Sequence, residues 1–400
     1  LSRTTRIRAT TQNTSFIVTM VASPLILLAL IGLARGSSYL GCLDDEGEPI
    51  DRWSSIKNPS TGNYYVYESS SSSFVKSEYT TSQTQDGMIM KTMNQMYSGG
   101  MNFSEVIYAM YNDEPPPDSS ASSGYAHAKG VIVVNEKQGF WLVHSMPKWP
   151  NQIEFGAAPF PDETYAQTLE CITISGNTAN NIANGLMVSR PYIYDRGVGS
   201  TLDGVYPTLQ DWVEGDQSSE LTYTAEFKSW DGAVYTQLEK SRKWEEDFWD
   251  DLVAPYFKAP LNVETWRSGS GGRMGSICAD GEYEPKQNLY DVMEISTIMM
   301  GDGQTWGGTK DHSKWAATGD SSTYVTCIGD LNRMCSQEGR GGGGVCRKED
   351  NRWRAFNNII DTMENCWEYN PCDTTYDSCY WCPQSALKMD GLSLGDASKE

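Results

Sequence analysis

The chain reads as an α/β protein built from two similar halves, and three observations predict it. Short β-branched runs bounded by turn residues alternate with segments at helical spacing. The pattern His-x-Lys occurs twice, as His127-Ala128-Lys129 and His312-Ser313-Lys314, at an offset of 185 residues. After each copy the plan repeats as strand, turn and polar end. That offset is too large for a solenoid repeat and fits a duplicated half-domain. About 360 residues follow any leader, enough for two core-forming units or one large duplicated domain.

The elements follow in chain order. Tyr64-Tyr65-Val66 is strand-like, the serine run Ser69 to Ser73 is a loop, and Glu114-Pro115-Pro116-Pro117 through Ser123 is a second loop. Gly130-Val131-Ile132-Val133-Val134, the turn from Asn135 to Gly139 and Phe140-Trp141-Leu142-Val143 predict a buried hairpin. His127 and Lys129, two apart on extended chain, share a face. His144, at the end of the returning strand, comes back towards His127. Residues 176–190 and 236–257 are predicted helical, the second with Trp244, Phe248, Trp249, Leu252 and Val253 as core. Leu261 to Trp266 predicts a strand and Ser268 to Gly272 a loop. After His312-Ser313-Lys314-Trp315 the chain turns at Gly319-Asp320 and resumes a strand at Tyr324 to Ile328. Gly339-Arg340-Gly341-Gly342-Gly343-Gly344 reads either as a phosphate cradle or as a flexible loop; it lacks a Walker lysine.

Hydrophobic content of 39% with 13 tryptophans indicates a globular chain. The net charge of −21 repels phosphate polyanions. Carboxylates stay mostly ionised near pH ~5, so any cleft for a polyanion must carry its own positive field. Lys129, Lys314 and protonated histidine would supply it, joined by Lys148, Arg333 and Arg340. Ten cysteines between Cys42 and Cys382 suit an oxidising compartment. Met20 followed by the apolar run Leu25 to Leu33 and by Ala34-Arg35-Gly36 reads as a signal peptide cleaved before Ser37. The alternative is a signal anchor, since Phe16 to Ala34 is nearly uncharged and about long enough to span a bilayer. Asn102-Phe103-Ser104 is a glycosylation sequon.

Only three histidines occur, His127, His144 and His312, and two of them open the repeated tripeptide. Cleaving a phosphodiester takes a nucleophile, a proton for the leaving oxygen, and positive charge for the non-bridging oxygens. Two His-x-Lys units supply all three without metal. One imidazole attacks phosphorus to form a phosphohistidine, the other donates the proton and later receives one from water, and Lys129 and Lys314 hold the oxygens. Other chemistries have weaker support. No His-x-His or His-x3-His pair suggests zinc, Cys379-Tyr380-Trp381-Cys382 is better read as disulfide cysteines in a secreted chain, and no Gly-x-Ser-x-Gly elbow exists.

Tyr125 to Gly130, Gly139 to Pro147, Tyr111-Asn112-Asp113-Glu114-Pro115-Pro116 and Tyr165 to Cys171 together resemble deoxyribonuclease II. So do Asp311 to Trp315, Cys327 to Arg333 and Arg340 through Cys346, in the same order. The resemblance covers about Cys42 to Cys366. It implies a phospholipase-D-like α/β fold: two pseudo-symmetric halves, each a mixed sheet flanked by helices, with one shared active site. With residues 1–36 read as upstream residues and a signal peptide starting at Met20, it gives a domain at 37–366 with halves of about 37–210 and 211–366, followed by a cysteine-containing tail at 367–400 whose end reads as disordered.

The resemblance further implies an acid endonuclease that cuts double-stranded DNA without metal or other cofactor, leaving 3′-phosphate ends, in a lysosomal or secreted protein. His127, Lys129, His144, His312 and Lys314 become the catalytic set, and Asn332, Arg333 and Arg340 the substrate contacts. The attacker is left open by the sequence; His127 as nucleophile and His312 as acid is the reading adopted. Disulfides Cys42–Cys171, Cys278–Cys366 and Cys327–Cys346 are implied, while Cys335, Cys372, Cys379 and Cys382 depart from the pattern. With the signal cleaved no stable membrane association is expected, and a homodimer is compatible. Two other functions fit the same resemblance: a phosphodiesterase acting on phospholipid, and a non-catalytic secreted DNA-binding or toxin-like protein.

Overall fold

Residues 52–198 form one sheet and residues 222–363 another, so the two halves are two sheets. The computed structural model describes residues 39–365 except 69–70, 98, 100, 118–119, 162–163, 269–271 and 280–289. The leader or anchor, most of the Ser268–Gly272 loop, Cys366 and the tail cysteines therefore lie outside the described residues. The first sheet comprises β1 (Arg52–Lys57), β2 (Asn63–Tyr67), β3 (Val75–Thr80), β4 (Ile107–Asn112), β5 (Lys129–Val134), β6 (Gln138–His144), β7 (Gln167–Ser175) and β8 (Ile193–Val198). Its spatial order is β3-β2-β1-β7-β6-β5-β4-β8, and its pairings among the described residues are antiparallel.

The second sheet holds β9 (Thr222–Lys228), β10 (Val234–Lys240), β11 (Leu261–Glu264), β12 (Val292–Met299), β13 (Thr305–Gly307), β14 (Trp315–Thr318), β15 (Val325–Gly329), β16 (Gly342–Lys348) and β17 (Ile360–Met363). Its order is β13-β12-β11-β14-β15-β16-β10-β9, with β17 on β12. One pair, β11 with β12, is parallel, so only this sheet is mixed in the strict sense. The helices are α1 (Met88–Tyr97), α2 (Gly176–Ser189), α3 (Pro207–Glu214), α4 (Ala254–Phe257), α5 (Cys335–Glu338) and α6 (Asp350–Asn357). None of the described helices is long and apolar enough to cross a membrane.

The predicted hairpin is β5–β6, and its near-continuous hydrophobicity has a simple cause. Ile132, Val134, Trp141 and Val143 enter a core shared by both sheets. Val131, Val133, Phe140 and Leu142, on the other face, pack under the methionines of α1. Each such side chain contributes about 1.5–3 kcal/mol when fully buried, so a strand covered on both faces makes a rigid mount. On the far face of the second sheet, Phe248, Trp249 and Val253 join Leu261, Val263 and Val325 in a third cluster.

Two expectations are corrected. Residues 236–257 are not one helix: Val234–Lys240 is strand β10, and only the π-helical turn Trp249–Val253 and α4 are helical. The reason is that the polar Gln237 and Glu239 are buried and hydrogen-bonded to each other, with Gln237 also reaching the carbonyl of Ile182. The glycine run is not a flexible loop either, because Gly342–Lys348 is the buried strand β16. A Cβ at Gly341 would collide with the carbonyl of Ser189, and one at Gly343 with the Glu239 carboxylate. Glycine is there for close approach.

A buried ion pair ties the halves together. Glu170 on β7 accepts from the Arg352 guanidinium of α6 at 2.6 Å and from the Tyr235 hydroxyl of β10 at 2.9 Å. Removing one member strands a buried charge, which costs about 3–5 kcal/mol. Arg352→Ala should therefore lower urea-unfolding stability by that amount; a loss under about 1 kcal/mol would remove this contact from the account. Disulfides Cys42–Cys171 and Cys327–Cys346 are formed, and Cys278 and Cys335 are also disulfide-bonded.

Candidate active site

Both His-x-Lys copies sit at strand ends, where the two sheets meet. Lys129 opens β5, and Lys314 immediately precedes β14. Reciprocal backbone bonds fix them. The His127 N–H donates to the carbonyl of Gly341, just before β16, at 2.9 Å, and the His312 N–H donates to that of Ala166, just before β7, at 2.9 Å. Strands β5-β6-β7 and β14-β15-β16 are adjacent triplets with the same antiparallel pairing. Each histidine is thus pinned to the start of the third strand of the opposite triplet. Helix α2 adds a further anchor: Arg190, its left-handed C-cap (φ 63°), accepts the Ala126 N–H at 2.9 Å.

His127, Lys129, His312 and Lys314 line one cleft, with Asn332 and Arg340. Two expected members lie elsewhere. His144 is buried beneath the cleft against Trp149, with ring centroids 5.1 Å apart, and its Nδ1 accepts the Met146 N–H at 3.2 Å. Burial, with Lys129 nearby, pushes its pKa down to about 3. Arg333 points away from the cleft and is fully buried; its guanidinium donates to Glu294 at 2.5 Å and to the carbonyl of Gly275 at 2.9 Å. A charge held that way is structural rather than free for a substrate.

Other side chains around the two histidines were given no role from sequence. Asp113, just after β4, accepts from Lys129 Nζ at 2.5 Å and from Arg340 at 3.1 Å, and lies 3.9 Å from His127 Nε2. Burial would raise its pKa, but Lys129, His127 and Arg340 hold the carboxyl well below the usual range. Gln337 Oε1 lies 2.7 Å from His127 Nδ1. Tyr165 stacks on the His312 imidazole at 3.9 Å and 11°, and Trp266 meets it edge-on at 4.2 Å. Asp113 and Tyr165 fall in the segments that carry the resemblance, whereas Gln337 and Trp266 carry no sequence signal.

Electrostatics distinguish the two catalytic candidates from ordinary surface histidines. Burial, followed by Lys314, Lys129 and Lys57, pushes His312 down to about 2. Burial also holds His127 well below its ordinary value, opposed by Asp113 and assisted by Lys129, Lys314 and Arg340. Lys314, whose Nζ donates to the His312 carbonyl at 2.9 Å, is pushed down to about 8 by burial and by Lys129. The cleft is therefore poised for an anion: two neutral imidazoles stand beside cations that a phosphate would neutralise. Among the described residues, no group of three or more His, Cys, Asp or Glu is placed to hold a metal ion.

Two paired half-sheets that each contribute one histidine and one lysine to a common cleft define the phospholipase-D-like class. A family model described as Deoxyribonuclease II matches residues 41–366. Plancitoxin-1 of Acanthaster planci is 32% identical, with 88% of this chain and 98% of that protein aligned. Deoxyribonuclease-2-alpha of Sus scrofa is 29% identical over 87% of this chain and 96% of its own length. A putative deoxyribonuclease-2 of Burkholderia pseudomallei is 31% identical over 78% and 90%. The chain belongs to the deoxyribonuclease II family.

Proposed function

We propose that this protein is an acid endonuclease that hydrolyses double-stranded DNA through a phosphohistidine, without metal, leaving 3′-phosphate ends. The single observation that carries the reading is the meeting of His127, Lys129, His312 and Lys314 in one cleft. The scissile phosphate sits between Lys129 and Lys314, with Arg340 and the Asn332 amide as further contacts. His127 Nε2 attacks phosphorus, the P–O5′ bond breaks, and protonated His312 gives its proton to the departing O5′. Water then attacks the phosphohistidine, His312 takes back a proton, and the P–N bond breaks. The 3′-phosphate end and neutral His127 are released.

The lysines, Arg340 and the imidazoles supply nucleophile, acid and positive charge, so the scheme calls for no metal. Lysosomal or secreted placement accords with the disulfides and with the exposed Asn102 sequon. The test is plasmid cleavage near pH ~5, where a phosphate bound beside the lysines favours the imidazolium of His312, with and without a strong chelator, followed by end-group analysis. Chelator-insensitive cleavage yielding 3′-phosphate ends is expected. Loss of cleavage on chelation, or 5′-phosphate ends, would sink the scheme.

A further inference from the structure

We propose that Gln337 is the positioning residue that makes His127, rather than His312, the attacking imidazole, by holding its proton on Nδ1. This rests on the histidine-pair reading above. An amide oxygen only accepts hydrogen bonds, so the 2.7 Å contact from Gln337 Oε1 requires the hydrogen to be on Nδ1. In the neutral ring the Nε2 lone pair is then left free, on the side where Nε2 lies 3.9 Å from Asp113. The buried Nε2 of His312 has no hydrogen-bond partner among the described residues, so no acceptor there orders its tautomer; the ring is stacked on Tyr165 and meets Trp266 edge-on.

The acceptor is neutral, and that matters. A carboxylate in its place would favour imidazolium and remove the nucleophile at acidic pH, whereas an amide orients the ring without adding charge. The groups facing His127 are Asp113, Lys129, Lys314 and Arg340, and three of those four are cations. A second carboxylate would upset that balance.

Gln337 lies in a four-residue helix whose own hydrogen bonds are too few to fix it. The buried Lys240 side chain, from β10, supplies what is missing. Its Nζ donates to the carbonyls of Gln337 at 3.3 Å, Glu338 at 2.7 Å and Arg340 at 2.9 Å. Cys335, at the head of the same helix, is disulfide-bonded and donates its N–H to Gly272. A helix clamped at both ends thus presents one amide to one imidazole across 210 residues of sequence.

Three histidines make the test direct. Long-range 15N–1H correlation on the intact protein should show His127 as the Nδ1–H tautomer, and Gln337→Ala should convert it to a mixture or to Nε2–H. On plasmid DNA, Gln337→Ala should lower kcat about 10–100-fold, the usual effect of losing a ring-orienting partner, with KM nearly unchanged. Gln337→Glu, which still accepts from Nδ1–H, should recover kcat at higher pH while losing activity on the acid side. An Nε2–H tautomer in the unmodified protein overturns the proposal, as do variants that keep the original kcat and pH profile. If the protein cuts no DNA at all, the activity reading fails, and the tautomer measurement still decides the role of Gln337.

Discussion

Alanine at His312 is expected to slow DNA cleavage by about 10²–10⁴-fold, the usual contribution of a positioned general acid. His127→Ala should abolish it. The two losses differ in kind, and an activated substrate separates them. With a thymidine 3′-(nitrophenyl phosphate) the leaving group needs no proton, so His312→Ala should still transfer the phosphoryl group to His127. It should then stall, because no base activates the water, giving a burst of about one equivalent of nitrophenolate and a phosphorylated peptide containing residue 127. His127→Ala should show no burst. A burst in His127→Ala with none in His312→Ala would exchange the roles; losses under about tenfold in both would remove the pair from the mechanism. Both side chains lie in the cleft with their backbones pinned from the opposite half. Truncation at either position leaves that framework bonded.

Much of this site is local in sequence, which is why it was legible. His127 and Lys129 precede a strand whose β-branched run reports burial on both faces, and extended chain puts residues two apart on one side. What failed depends on distant partners. Asn332 and Arg333 are neighbours, yet Asn332 lines the cleft while Arg333 answers Glu294, 39 residues away. Nothing in a polar dipeptide tells which member faces the cleft. Strand β10 was read as helix because Gln237 and Glu239 satisfy each other in the interior, and polarity at those positions imitates a solvent face. Asp113 was given no role from sequence. Only the fold shows that it collects Lys129, Arg340 and His127 around one carboxylate.

The acid dependence should carry two separable signatures. In the unliganded enzyme His312 is depressed to about 2, by burial first and by Lys314 and Lys129 next. Across pH 4–6 nearly all of it is neutral, and each pH unit upward removes about tenfold of the protonated form, so kcat/KM should fall about tenfold per unit. Bound phosphate places a negative charge against those lysines and raises the His312 pKa, so kcat should stay flat to higher pH before falling, and binding should take up protons.

The second signature comes from Glu114, which lines the same cleft. Burial raises its pKa; Asp113 adds to that, while Lys129, Lys314 and Lys148 oppose it. Protonated, Glu114 is neutral beside a phosphate; ionised, it repels one. Above its pKa the fall in kcat/KM should therefore steepen towards a hundredfold per unit, because two protons must now be bound. Glu114→Gln should match the unmodified enzyme on the acid side and keep the single-proton slope towards neutrality, its advantage growing about tenfold per pH unit. If the two kcat/KM profiles superimpose from pH 4 to pH 8, Glu114 has no part in the acid dependence, and the histidine pair alone must account for it.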